Sequence, residues 1–349
     1  MQPVSILSLC TQTPPHVLTQ DEAIAAARDL IGWQFADFER LTAVFGNAGV
    51  HTRQLARPAD WYRSPRTFQE RTQAYLEVAL DLWVAAAERA LIEADLRAEQ
   101  VDTIVTVSST GIATPSLEAR AMARMPFRSD VARVPVFGLG CAGGATGLGL
   151  SSKLARATPG STVLFVTVEL CSLALRTDRA DKADIISTAL FGDGAAACVL
   201  RSGEDGFVQI TGSEEKTWSD TLDIMGWQAE PTGLGVVLNR AIPVFAQREM
   251  RQAMQEMLDP QGLKIEDIDQ FICHPGGAKV VDALENALSL NQGALVKERE
   301  VLRDHGNMSA PTVLFVLDRY RRAGLPGLCV LNALGPGFTA SSLTLRCAA

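Results

Sequence analysis

The chain has 349 residues, of which 47% are hydrophobic and 21% charged, and its formal net charge is −8. That length suits two domains or two fused halves, and the apolar share excludes a disordered chain. The acidic balance excludes a general nucleic-acid binder while leaving room for a local basic patch that takes a phosphate.

The N-terminus, MQPVSILSLCTQTPPH, lacks the basic segment and long apolar run of a signal peptide. No stretch approaches the roughly 18 uninterrupted apolar residues of a membrane span, so none is expected. Over 67–96 the residues Leu76, Leu80, Trp83, Ala87 and Leu91 recur at helical spacing. VDTIVTVSS (101–109) reads as a buried strand. GLGCAGGATGLGL (138–150) places one cysteine before a glycine- and alanine-rich run, with a helix expected over 145–157 and a stop at Pro159–Gly160. STVLFVTVEL (161–170) and AAACVLRS (195–202) read as strands, the second preceded by the turn FGDG. RSGEDG (201–206) marks a boundary between halves 1–203 and 204–349. The second half repeats the rhythm. IDQFICHP (268–275) is a strand ending at Pro-Gly-Gly, KVVDALENALSL (279–290) a helix, and MSAPTVLFVLDRYRRAG (308–324) a second helix. GLCVLNALGPGFTASSLTLR (327–346) reads as strand, glycine loop and strand. Alternating strands and helices imply an α/β fold with parallel or mixed sheets, and the halves resemble each other in pattern rather than in residues.

The seven cysteines, at 10, 141, 171, 198, 273, 329 and 347, form no CxxC pair, which speaks against a zinc ribbon or thioredoxin motif. Their odd count and wide spacing suit reduced thiols in a cytoplasm. No metal-ligand spacing is found. Cys141 differs from the rest because helix N-terminal N–H groups favour a thiolate, and such a nucleophile needs a nearby base or cation. Four histidines are available. His16 lies beside prolines in an N-terminal loop, His51 in GVHTRQ and His305 in RDHGNMS. His274 ends the run QFIC just before PGGAK, at the rim where open α/β sheets place their sites. Asn307, in GNMSAPT, offers a carboxamide that donates to a carbonyl or enolate oxygen; taken alone, it reads as a helix N-cap.

In this order, GLGCAGGATGL, FICHPGGAKVVDALE, DHGNMSAPTVLFVLD and ALGPGFTASS, together with ALFGDGAAA (189–197), resemble the type III polyketide synthase family, relatives of chalcone synthase on the thiolase fold. The resemblance implies two βαβ halves in a layered αβαβα arrangement and a homodimer. It implies Cys141 as the acyl-accepting nucleophile, His274 as the partner of its thiolate, and Asn307 as a second polar donor. Acyl-CoA and malonyl-CoA are the implied substrates, with no metal or redox cofactor. Gly335, Pro336 and Gly337 resemble the loop that shapes the cyclisation wall. Thr114, in TGIATP, falls in the segment that reaches toward the partner subunit. Cys171, Ala174 and Val236 resemble pocket-lining positions, the last two smaller than in plant members, and Phe207 resembles an aromatic gatekeeper. Plant members hold the CoA phosphates with cations on an N-terminal helix. Here Arg40 and Arg53 remain, Ala43 and Asn47 replace the others, and Lys279 lies near the implied pantetheine tunnel; an acyl carrier protein stays open as donor. VELCSLALR (168–176) resembles bacterial members. The expected activity is extension of a fatty acyl starter to an alkylpyrone or alkylresorcinol. A single-condensation enzyme like ketoacyl synthase III, a thiol hydrolase and a non-catalytic acyl binder are the alternatives.

Overall fold

The computed structural model describes residues 3–35, 37–175 and 182–347; Arg176, the last residue of VELCSLALR, lies outside them. In chain order the strands are β1 (Val4–Gln12), β2 (His16–Thr19), β3 (Thr52–Leu55), β4 (Thr103–Val107), β5 (Ala132–Val136), β6 (Thr162–Leu170) and β7 (Asp193–Ser202). They continue with β8 (Val208–Thr217), β9 (Met225–Glu230), β10 (Gly233–Leu238), β11 (Gln270–Cys273), β12 (Leu328–Gly335) and β13 (Thr339–Cys347). Nine of them form one mixed sheet in the order β11-β12-β13-β8-β1-β7-β6-β4-β5. The other four pair as two antiparallel ribbons, β2 with β3 and β9 with β10. His16, expected in a loop, therefore opens a strand.

The sheet contains an internal repeat. From its middle outward, β1-β7-β6-β4 in the first half matches β8-β13-β12-β11 in the second, and β5 has no counterpart. The halves join where Val4–Ile6 of β1 pair antiparallel with residues 208–210 of β8. The expected boundary falls in the turn between β7 and β8.

Burial explains the composition of these elements. Every residue of β6, TVLFVTVEL, is buried, as a strand covered on both faces requires. The helix Gly143–Ala157 contacts β4, β6 and β7 of the first half and β8, β12 and β13 of the second. The helix Thr312–Ala323 likewise touches β1 and β7 on one side and β11 and β12 on the other. These two helices form a central layer between the halves. The helix Phe68–Glu93 covers β1, β6 and β7, and Ile242–Leu258 covers β8 and β13. The first of these begins with a capping box, Thr67 and Glu70 satisfying each other's backbone N–H groups. Its alanines at 79, 86, 87 and 90 are fully buried, which brings its backbone close to the sheet. Among the described residues no helix is long and apolar enough to cross a membrane.

Candidate active site

Three chain turns from different elements meet at one cavity of about 400 Å³, lined by Cys141, His274 and Asn307. Its walls are predominantly apolar and its volume lies in the range of small-molecule sites.

Cys141 sits in a 3-10 turn, Gly140–Ala142, that runs directly into the helix Gly143–Ala157. The sulfur therefore lies at the electropositive start of that helix, as the glycine-rich motif suggested. The turn is held from two sides. The Ser109 hydroxyl accepts from the N–H groups of Gly138 (3.2 Å) and Gly140 (3.3 Å). On the other side Gly335 packs so tightly that a Cβ there would lie 2.6 Å from both Ala142 Cβ and the Leu139 carbonyl oxygen. Glycine at 335 is thus a packing requirement of the nucleophile's turn.

Ser109 is itself anchored by Glu169, at the end of β6. That carboxylate is fully buried and accepts from Ser109 N–H (3.0 Å), Thr110 N–H (2.9 Å) and the Thr110 hydroxyl (2.7 Å). Burial pushes its carboxyl up to about 7 against the pull of these donors.

Asn307 is the clasp of the site. Its backbone N–H donates to Leu190 O (2.9 Å) and its carbonyl accepts from Gly192 N–H (3.0 Å), both in the ALFGDG motif. A side chain at Gly192 would collide with the His305 carbonyl oxygen. The carboxamide is fixed at both ends: Oδ1 accepts from Ser309 N–H (2.7 Å), and Nδ2 donates to Gly276 O (3.3 Å). Both amide atoms then lie 4.0 Å from Cys141 Sγ. The helix it was expected to cap begins later, at Thr312, so Asn307 is free of that task.

His274 follows β11, its N–H donating to Asn332 O (2.8 Å) on the neighbouring strand. The residue is only 4% exposed, yet among the described residues neither ring nitrogen has a hydrogen-bond partner. Burial drives its imidazole down to about 3 and the Cys141 thiol up to about 11, the latter opposed by Ser309 and Asn307. Burial thus opposes the charge that the thiolate–imidazolium pair expected from the sequence would place on both groups. Both side chains face the space a substrate would fill. Catalytic contacts of this kind commonly tighten only when substrate is bound.

Cys171, Ala174, Val236, Pro336 and Lys279 line the same cavity. Cys171 and Ala174 lie on the turn after β6, where Asp193 accepts from Ser172 N–H (2.8 Å), from its hydroxyl and from Ala56 N–H (2.6 Å). Other expectations are corrected. Phe207 lies outside the cavity, packed on the core with the Arg321 guanidinium 5.0 Å from its ring centre, so it is no gatekeeper. Gly335 and Gly337 stand behind the wall, which only Pro336 of that loop lines. Arg40 is exposed, pairs with Asp37 at 3.9 Å and does not reach the cavity. Arg53 is buried and spends its guanidinium on the carbonyls of Thr188, Ala189 and Phe191. Thr114 is exposed on the surface and does not line the cavity. Among the described residues no cluster of His, Cys, Asp or Glu could hold a metal ion. The residues that the sequence reading missed are Ser109, Thr110, Glu169, Ser309 and Asp193.

Comparison with known proteins agrees with this arrangement. Residues 57–204 match the N-terminal domain of chalcone and stilbene synthases, and residues 218–349 match the C-terminal domain. The chain belongs to the chalcone and stilbene synthase family, the type III polyketide synthases, condensing enzymes on a thiolase-like fold. It is 35% identical to a putative chalcone synthase of Bacillus subtilis, over 97% of each chain. It is 39% identical to the 1,3,6,8-tetrahydroxynaphthalene synthase of Streptomyces peucetius, over 98% of this chain and 93% of that one. The crystal structure of 1,3,6,8-tetrahydroxynaphthalene synthase from Streptomyces coelicolor superposes with a TM-score of 0.93 at 27% identity, covering 99% of both chains.

Proposed function

We propose that the protein loads a fatty acyl group from coenzyme A onto Cys141, extends it with malonyl-CoA and closes the product to an alkylpyrone or alkylresorcinol. The carrying observation is the apolar cavity beside Cys141, whose wall at 174 and 236 is built from the small residues alanine and valine.

The chemistry follows from the groups present. Cys141 Sγ attacks the thioester carbonyl while neutral His274 takes its proton, and passes that proton to the departing CoA sulfur. Malonyl-CoA then loses CO2, and the electron pair of the broken C–C bond moves into an enolate. A neutral imidazole N–H and the second Nδ2–H of Asn307 supply donors to that oxygen, each lowering the barrier by about 3 kcal/mol. Neutral His274 suits this task, since it donates a hydrogen bond without quenching the carbanion. The carbanion attacks the Cys141 thioester, a C–C bond forms, the C–S bond breaks with its electron pair leaving on Cys141 as a thiolate, and the lengthened chain, carried on CoA, is reloaded by attack of that thiolate with release of free CoA.

Fatty acyl-CoA esters of graded length, supplied with labelled malonyl-CoA, are expected to give alkylated pyrones or resorcinols, and Ala174→Phe is expected to shorten the longest starter accepted. Products of one condensation only would favour the enzyme like ketoacyl synthase III. A second reading draws on the relative named for 1,3,6,8-tetrahydroxynaphthalene, a product without an alkyl tail. It requires product from malonyl-CoA alone. No covalent mass gain on Cys141 from any acyl-CoA would leave only an acyl binder.

A further inference from the structure

This inference rests on the coenzyme A reading above and concerns how the donor is gripped. With a net charge of −8 the protein as a whole repels a polyanion, so the phosphates of coenzyme A need local cations. The N-terminal segment offers few. Arg40 does not line the cavity, and position 47 lines it with a neutral asparagine.

The cavity-lining cations among the described residues are Arg53, Arg240 and Lys279. Arg53 is 1% exposed, and both its terminal nitrogens are held by backbone carbonyls and Gln20. Arg240 and Lys279 make no side-chain hydrogen bond or ion pair among the described residues. This sets them apart, since Arg248, Arg251, Arg299 and Arg303 on neighbouring surfaces are each matched with a carboxylate. Arg240 and Lys279 are both exposed, which is where a hydrated phosphate would meet them. Arg240 follows β10, whose Val236 and Val237 line the cavity, and Lys279 lies in the first turn of the helix Ala278–Ala287, which has no acidic side chain there. The same two elements thus line the apolar interior and carry the free cations. The N-terminal N–H groups of that helix favour an anion as well.

We propose that Arg240 and Lys279 hold the phosphates of the acyl-CoA donor, and so take over the role for which positions 43 and 47 carry no charge here. They are binding residues, remote from the reacting atoms.

The test compares two donors of one acyl group, the coenzyme A thioester and the N-acetylcysteamine thioester, which has no phosphate. For the double variant Arg240→Glu, Lys279→Glu, the ratio of kcat/KM for the CoA ester to that for the N-acetylcysteamine ester is expected to fall roughly tenfold, through KM. Raising the salt should raise the wild-type KM for the CoA ester and move the variant little. An unchanged ratio, or equal losses on both donors, would overturn the phosphate grip while leaving the starter reading standing. If wild-type protein transfers neither acyl group to Cys141, the starter reading fails and this inference with it.

Discussion

His274 is a buried imidazole whose two nitrogens have no partner among the described residues, and this has a thermodynamic signature. Its folded value is about 3 against 6.5 for the free side chain. Between those values the unfolded chain binds the extra proton, so stability rises with pH from 3 to 6.5 and is unaffected by this group above that. At pH 4.5 the wild-type protein is expected to have lost about 3 kcal/mol through this group, a loss absent in His274→Gln. Urea unfolding of both proteins at pH 7 and pH 4.5 measures it; parallel losses would show that His274 is charged in the folded state. Asn307 acts at the other side of the sulfur. Asn307→Ala is expected to lower malonyl-CoA decarboxylation about a hundredfold while Cys141 still gains the acyl mass, since the carboxamide serves the enolate. The trio is legible in the sequence because each member lies among turn-forming glycines, which mark it off from core residues. Glu169 is not. It reads as one polar residue in a buried strand, and its partners Ser109 and Thr110 stand 60 and 59 positions away.

Among the elements, the hairpin of β12 and β13 is the most informative. Its strands and glycine loop are plain in GLCVLNALGPGFTASSLTLR, but its task is not the one expected. Gly335 supports the Cys141 turn from behind, while Leu334 and Pro336 on either side of it line the cavity. Gly335→Ala is expected to cost about 1–3 kcal/mol by overpacking and to slow acylation of Cys141, with both effects arising together. Thermal unfolding and intact-mass kinetics would check this; a destabilised variant that acylates at the wild-type rate would separate the loop from the nucleophile. Phe207 shows why such assignments fail. An aromatic at the start of β8 can face either side of the sheet, and only the packing of Arg321 over its ring settles the side.

For the molecule as a whole, the alternation of strands and helices revealed the class of fold. It did not reveal that the halves share one sheet, because the β1–β8 pairing involves residues some two hundred positions apart. Two central helices, each packed on both halves, leave neither half with a complete core. One cooperative unfolding transition is therefore expected, with tryptophan fluorescence and far-ultraviolet circular dichroism coinciding. Two separated transitions would mean that the halves are independent.

The clasp at Asn307 also bears on how the protein is made. A nascent chain that has left the ribosome only as far as β7 carries the sulfur and the ALFGDG grip, but has neither imidazole nor carboxamide to go with them. The thiol therefore stays chemically idle throughout most of synthesis, and becomes a reagent only when the last third of the polypeptide closes over it.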